Sequence, residues 1–60
     1  MKKGDKLVVH DWITGTIVEC VVYDTPYEDE SEVWIVPIEF PNGDKWNAIW
    51  NGKRWESQEI

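Results

Sequence analysis

Two Asn-Gly pairs, Asn42-Gly43 and Asn51-Gly52, constrain the fold of this 60-residue chain more than any other feature. The dipeptide is a strong hairpin signal, because a type I′ turn needs positive φ at both central residues. Four of the five tryptophans, at positions 34, 46, 50 and 55, fall around these turns. No stretch carries an apolar stripe of helical period long enough for a helix. The pattern predicts one small antiparallel β domain over residues 1–60.

Strands are expected where β-branched and aromatic residues cluster between turn signals. The first covers Lys6 to His10. The second covers Thr16 to Asp24, with Val18, Cys20 and Val22 inward, since the other parity would bury Glu19. Thr25 to Ser31 reads as a loop broken by Pro26. The third strand runs from Glu32 to Phe40. Trp34, Val36, Ile38 and Phe40 alternate on its inner side, and Pro37 lies on the other parity. A missing N–H there implies an edge position or a bulge. A fourth strand, Lys45 to Trp50, and a fifth, Lys53 to Ser57, complete the set.

Register follows from pairing apolar residues. A three-residue loop after the third strand would set Phe40 against Trp46, Ile38 against Ala48 and Val36 against Trp50. A two-residue loop would set Phe40 against Lys45. A two-residue turn at Asn51-Gly52 would set Ala48 against Trp55 and Ile49 against Arg54. Trp34, Trp46, Trp50, Trp55 and Phe40 then share the inner parity and are read as core. A chain this short buries only about 60% of its unfolded surface. Four indoles are too much volume for a small barrel, so at least one should lie outside. Trp12, in the first long loop, is the best candidate for exposure.

The resemblance lies in the opening residues. Lys3-Gly4-Asp5-Lys6-Leu7-Val8-Val9, followed by Gly15-Thr16-Ile17-Val18-Glu19, resembles the Gly-Asp start of SH3-like, Tudor-like and KOW-type barrels. Gly-Asp turns into strand one, and the later glycine lets the chain bend into strand two. The resemblance implies an all-β, five-stranded antiparallel SH3-like barrel ending in a three-stranded meander. It passes on no functional residue. The Ala-Leu-Tyr-Asp-Tyr strand and Trp-Trp pair of peptide-binding SH3 domains are absent, and this chain is acidic where RNA-binding KOW domains are basic.

Twelve acids against six bases give a net charge of -6. That opposes binding to a phosphate backbone, which depends on Lys and Arg displacing counterions. It favours solubility and a protein partner with a basic surface. Asp24 to Glu32 holds five acids and no base. Met1-Lys2-Lys3 leads into Gly and Asp rather than an apolar segment, so no secretory leader is expected. The longest mainly apolar run, Ile17 to Tyr23, is too short to cross a membrane. A single cysteine, Cys20, permits no internal disulfide and reads as a buried thiol of a reducing, cytoplasmic compartment.

No catalytic constellation emerges. His10-Asp11 lacks a nucleophile, and one His with one Cys is too few for a structural zinc site. The acidic stretch lacks EF-hand spacing. The expectation is a non-catalytic interaction module without cofactor or metal. Its partner site would combine Trp12, Tyr23 and Tyr27 with Glu28, Asp29 and Glu30, and would take a basic or proline-containing protein surface. Size and charge also resemble accessory proteins of bacteria or their phages, including inhibitors that present carboxylates where a target expects phosphates. Two rivals remain. One is a nucleic-acid- or ribosome-associated barrel using Lys2, Lys3, Lys6, Lys45, Lys53 and Arg54. The other is a self-assembling subunit, a homo-oligomer that buries surplus aromatics across a symmetric interface.

Overall fold

Alternating apolar and polar side chains form strands wherever the sequence places them, and one more short strand forms where it does not. The structure, a computed structural model, describes residues 1–58. The strands are β1 (Lys6–His10), β2 (Ile17–Val22), β3 (Tyr27–Glu28), β4 (Trp34–Glu39), β5 (Lys45–Trp50) and β6 (Trp55–Gln58). Their order is β2-β1-β6-β5-β4-β3, and β2 also pairs with β4. That last pairing closes β1, β2, β4, β5 and β6 into a five-stranded barrel, with β3 attached outside the ring. The fold is all-β, and β4, β5 and β6 form the expected meander.

Strand direction needs one correction. β1 and β6 run parallel, meeting at His10 and Glu56, while every other pair is antiparallel. A ring of five strands cannot alternate direction all the way round, so one parallel contact is forced.

β3 is a second departure. The segment expected to be a loop from Thr25 to Ser31 contains a short hairpin, with Tyr27 opposite Ile35 and Glu28 opposite Trp34. Asp29 builds its turn. The Asp29 carboxylate accepts hydrogen bonds from the N–H groups of Ser31 (2.8 Å) and Val33 (3.0 Å).

The β4–β5 turn has the same hydrogen-bond pattern. Phe40 N–H donates to the Asp44 carbonyl and Gly43 N–H to the Phe40 carbonyl, as Asp29 N–H donates to Val33 and Glu32 N–H to Asp29. Both are three-residue loops in which the third residue takes positive φ. Gly43 takes it at 94°, and Glu32 at 62°.

The two Asn-Gly pairs are therefore not type I′ turns, because Gly43 and Gly52 have positive φ but Asn42 and Asn51 do not. Pro41 favours the first central position of a type I turn, and the Asn42 side chain accepts from Asp44 N–H (3.0 Å). Asn51 Oδ1 accepts from both Lys53 and Arg54 N–H (2.8 Å each), which extends the second turn. The first loop has the expected three residues, but such a loop pairs Phe40 with Asp44 rather than with Trp46, so each register lies two residues from the expected one. Ile38 faces Trp46 and Val36 faces Ala48. Trp50 faces Trp55, and Ala48 faces Ser57. A two-residue shift preserves parity, so the inner and outer faces stay as assigned.

Pro37 is not on an edge. It lies inside β4, paired with Asn47 of β5. On its other side its carbonyl accepts from Tyr23 N–H (3.1 Å). Its missing donor faces the Tyr23 carbonyl, so the reciprocal bond of that pair is lost, at the point where β4 changes partner from β3 to β2.

The core is mainly aliphatic, with Phe40 its one buried aromatic among the described residues. Leu7, Val9, Cys20, Val22, Val36, Ile38, Phe40 and Ala48 are buried, with Val18, Trp46 and Trp55 packed partly against them. Trp34 and Trp50 share the inner parity but lie beyond this cluster, 52% and 48% exposed. Both leave the expected core, because the barrel interior fills before its end is reached. Phe40 still stacks on Trp46 diagonally, with ring centroids 5.7 Å apart.

Three substitutions test this structure. Glu32→Gly should raise stability by about 1 kcal/mol, since a side chain in the left-handed region costs about 1–2 kcal/mol; the midpoint of urea unfolding reads it. Ile38→Ala should cost about 2–5 kcal/mol as a core truncation. Trp50→Ala should cost only about 1–2 kcal/mol, from partial burial and its edge contact with Trp55.

Candidate functional site

Strand pairing sets neighbouring side chains on one face, so the register shows which residues the fold brings together. Tyr27 faces Ile35, Ile35 faces Ile49, and Ile49 faces Glu56. All four lie on the outer parity of β3, β4, β5 and β6. They form one row across the sheet, about 14 Å long at the usual strand spacing. Glu56 in turn meets His10 at the end of β1. Two residues further, the chain reaches Trp12.

Trp12 is 62% exposed, as expected. Its loop is held by Asp11, whose carboxylate accepts from Ile13 N–H at 2.9 Å. With Ile49, Glu56, Ser57 and Gln58, Trp12 lines an open depression of about 390 Å³. Trp12 and Tyr27 (48% exposed) thus stand at the two ends of a single apolar row. Ile35, Ile49 and Glu56 are the residues that sequence reasoning missed. Ile35 and Ile49 were legible as apolar residues on the outer parity, where a solvated face would carry polar ones.

Tyr23 belongs to the adjoining row. It follows β2 beside Pro37, and its ring lies 5.4 Å from Lys45 Nζ. Lys45 is on β5, on the far side of β4, so the ring reaches across the outer surface of β4. There Pro37 is buried. Tyr23 itself is half-buried and already engaged by a cation.

The acidic residues divide. Glu28 faces Trp34 and so points to the opposite side of the sheet from Tyr27. Asp29 is committed to its turn. Glu30 stands exposed at the turn's tip. On the outer row the carboxylate is Glu56, whose Oε2 lies 3.5 Å from the Arg54 guanidinium. The expected trio Glu28, Asp29 and Glu30 therefore does not line the aromatic row.

The other chemical candidates have structural surroundings. The His10 carbonyl accepts from Ser57 Oγ at 3.3 Å. Among the described residues no group of three His, Cys, Asp or Glu stands ready to hold a metal ion. Among them also, no helix is long and apolar enough to cross a membrane. Lys45 opens β5 and Lys53-Arg54 follow its end, so these bases lie at opposite ends of one strand. Lys6 lies 3.9 Å from Glu19.

Cys20 is buried in the core. Burial pushes its thiol up to about 11, and the Asp11 carboxylate adds to the shift. The folded chain therefore holds it as the neutral thiol, a poor nucleophile. Its raised value contributes stability that is complete below the ordinary thiol value of 9.0 and lost as pH rises toward 11. Folded protein should resist thiol-labelling reagents at neutral pH. Cys20→Ser should flatten the loss of stability over that alkaline window, read by urea unfolding at stepped pH. No family model, curated protein or solved structure matches this chain.

Proposed function

We propose that this chain is a non-catalytic protein-interaction module. Its outer face, from Trp12 to Tyr27, takes an extended basic or proline-containing segment of a partner protein. The observation that carries this reading is the register row Tyr27–Ile35–Ile49, which ends in the depression lined by Trp12 and Glu56. An extended peptide suits a row of this kind, because prolines dock against aromatic and apolar side chains at little entropic cost. Glu56, together with the net charge of -6, favours a cationic segment over an acidic one. Tyr23 borders the row and Glu30 adds long-range attraction from the turn. Glu28 and Asp29 contribute only field, not contact.

The architecture is compatible with an SH3-like barrel, a scaffold that supports binding on its outer surface. In this reading the protein is a cytoplasmic accessory protein of a bacterium or a phage, an inhibitor variant included. Size and charge are the support for that placement.

Trp12→Ala tests the proposal. Against a panel of peptides varied in Lys, Arg and Pro content, it should weaken binding about tenfold or more, as loss of a hot-spot tryptophan does. Its unfolding midpoint should stay within about 0.5 kcal/mol of the parent, because the side chain is exposed. Ile49→Lys should abolish the same binding. Peptide affinity indifferent to both changes would refute the assignment. Nucleic-acid binding with a steep inverse salt dependence would replace it.

A further inference from the structure

The opposite side of the same strands carries a second aromatic surface. Glu28 faces Trp34 across β3 and β4, and Trp50 faces Trp55 across β5 and β6. One step past the Ile35–Ile49 pair, the register sets Trp34 opposite Trp50. The row Glu28–Trp34–Trp50–Trp55 therefore spans one end of the barrel on the inner parity. Trp50 and Trp55 meet edge to face with ring centroids 5.4 Å apart. Trp34 and Trp50 remain about half exposed.

Charge is distributed unevenly around this row. At the β3 end lie Glu28 and the turn that carries Glu30 and Glu32. At the β6 end lies the turn with Lys53 and Arg54, both exposed. Both turns project from the same end of the barrel, because β4 starts where β5 stops. They are two strand spacings apart, about 10 Å.

We infer that this end is a self-complementary interface for a second copy of the chain. A two-fold axis between β4 and β5 exchanges the two turns. Each acidic turn then meets the basic turn of the partner, and the two Trp34–Trp50 pairs bury against each other. An isologous contact requires such a patch, in which opposite features flank the axis. A uniformly acidic rim would repel its own copy. Here Lys53 and Arg54 sit at the position that the axis maps onto the acids, and Met1 lies at the same end beside Trp34. A short chain whose core is mainly aliphatic and small also gains from burying its excluded indoles. The surface is separate from the Trp12–Tyr27 row, so a dimer leaves that row open.

Charge-swap variants test the interface. Analytical ultracentrifugation across the micromolar to millimolar range should show a concentration-dependent dimer. Trp34→Ala should raise its dissociation constant about tenfold or more. Lys53→Glu with Arg54→Glu should be monomeric, and so should Glu28→Lys with Glu30→Lys. Mixing these two double variants should restore a heterodimer, because each then supplies the charge the other lost. Should Trp34→Ala fail to fold by circular dichroism, the charge-swap mixture decides alone. Trp12→Ala should leave dimerisation unchanged, which separates this outcome from failure of the peptide-binding face. A parent chain that stays monomeric at millimolar concentration overturns the inference. So does a dimer that survives both charge reversals, or a mixture that stays monomeric.

Discussion

The pairing of Val22 with Ile38 closes the barrel, and most other features follow from that closure. Once β2 meets β4, the sheet has an inside only wide enough for Val, Leu, Ile, Ala, Cys and one Phe. Close packing leaves no room for four indoles. Trp46 and Trp55 reach the core margin, and Trp34 and Trp50 stop outside it. Closure also positions Pro37, whose missing donor coincides with the change of partner along β4. The same junction brings Tyr23 over the outer surface of that strand.

One sheet consequently presents two apolar rows on opposite sides. Alternation sends Tyr27, Ile35 and Ile49 outward, and sends Glu28, Trp34 and Trp50 the other way. The two sides differ in character. The outer row has a single carboxylate, Glu56, beside a loop tryptophan. The end row is flanked by opposite charges in two turns. The first is the face proposed for a cationic segment, the second the face proposed for a copy of the chain.

Parity was legible in the sequence and register was not. Glu19 fixed the facing of β2, and the alternation of Val36, Ile38 and Phe40 fixed that of β4. Choosing between registers two residues apart depends on which loop residue adopts positive φ. The first turn has the expected three-residue loop, whose type I start at Pro41 pairs Phe40 with Asp44 rather than with Trp46. The Asn51 side chain settled the second register by capping two N–H groups. Neither effect can be read from an Asn-Gly pair alone. β3 was hidden because Pro26 and the following acids look like a loop, and because Glu32 fills a site where glycine is the usual signal. Of the candidate site, Trp12, Tyr23 and Tyr27 could be named from sequence. Ile35 and Ile49 could not be joined to them without the register. Glu28 and Asp29 were misplaced because their roles depend on that unrecognised hairpin.

The parallel contact between β1 and β6 joins the first strand to the last. Ser57 Oγ reaches the His10 carbonyl over a separation of 47 residues. The β4–β5–β6 meander and the β1–β2 hairpin each form from near neighbours, but this seam must wait for both. Entropy of loop closure and non-local topology make such a step slow. On a ribosome the nascent chain would hold its β1–β2 hairpin half-partnered until β6 has emerged. Sealing of the seam is then the event that commits the polypeptide to its native state.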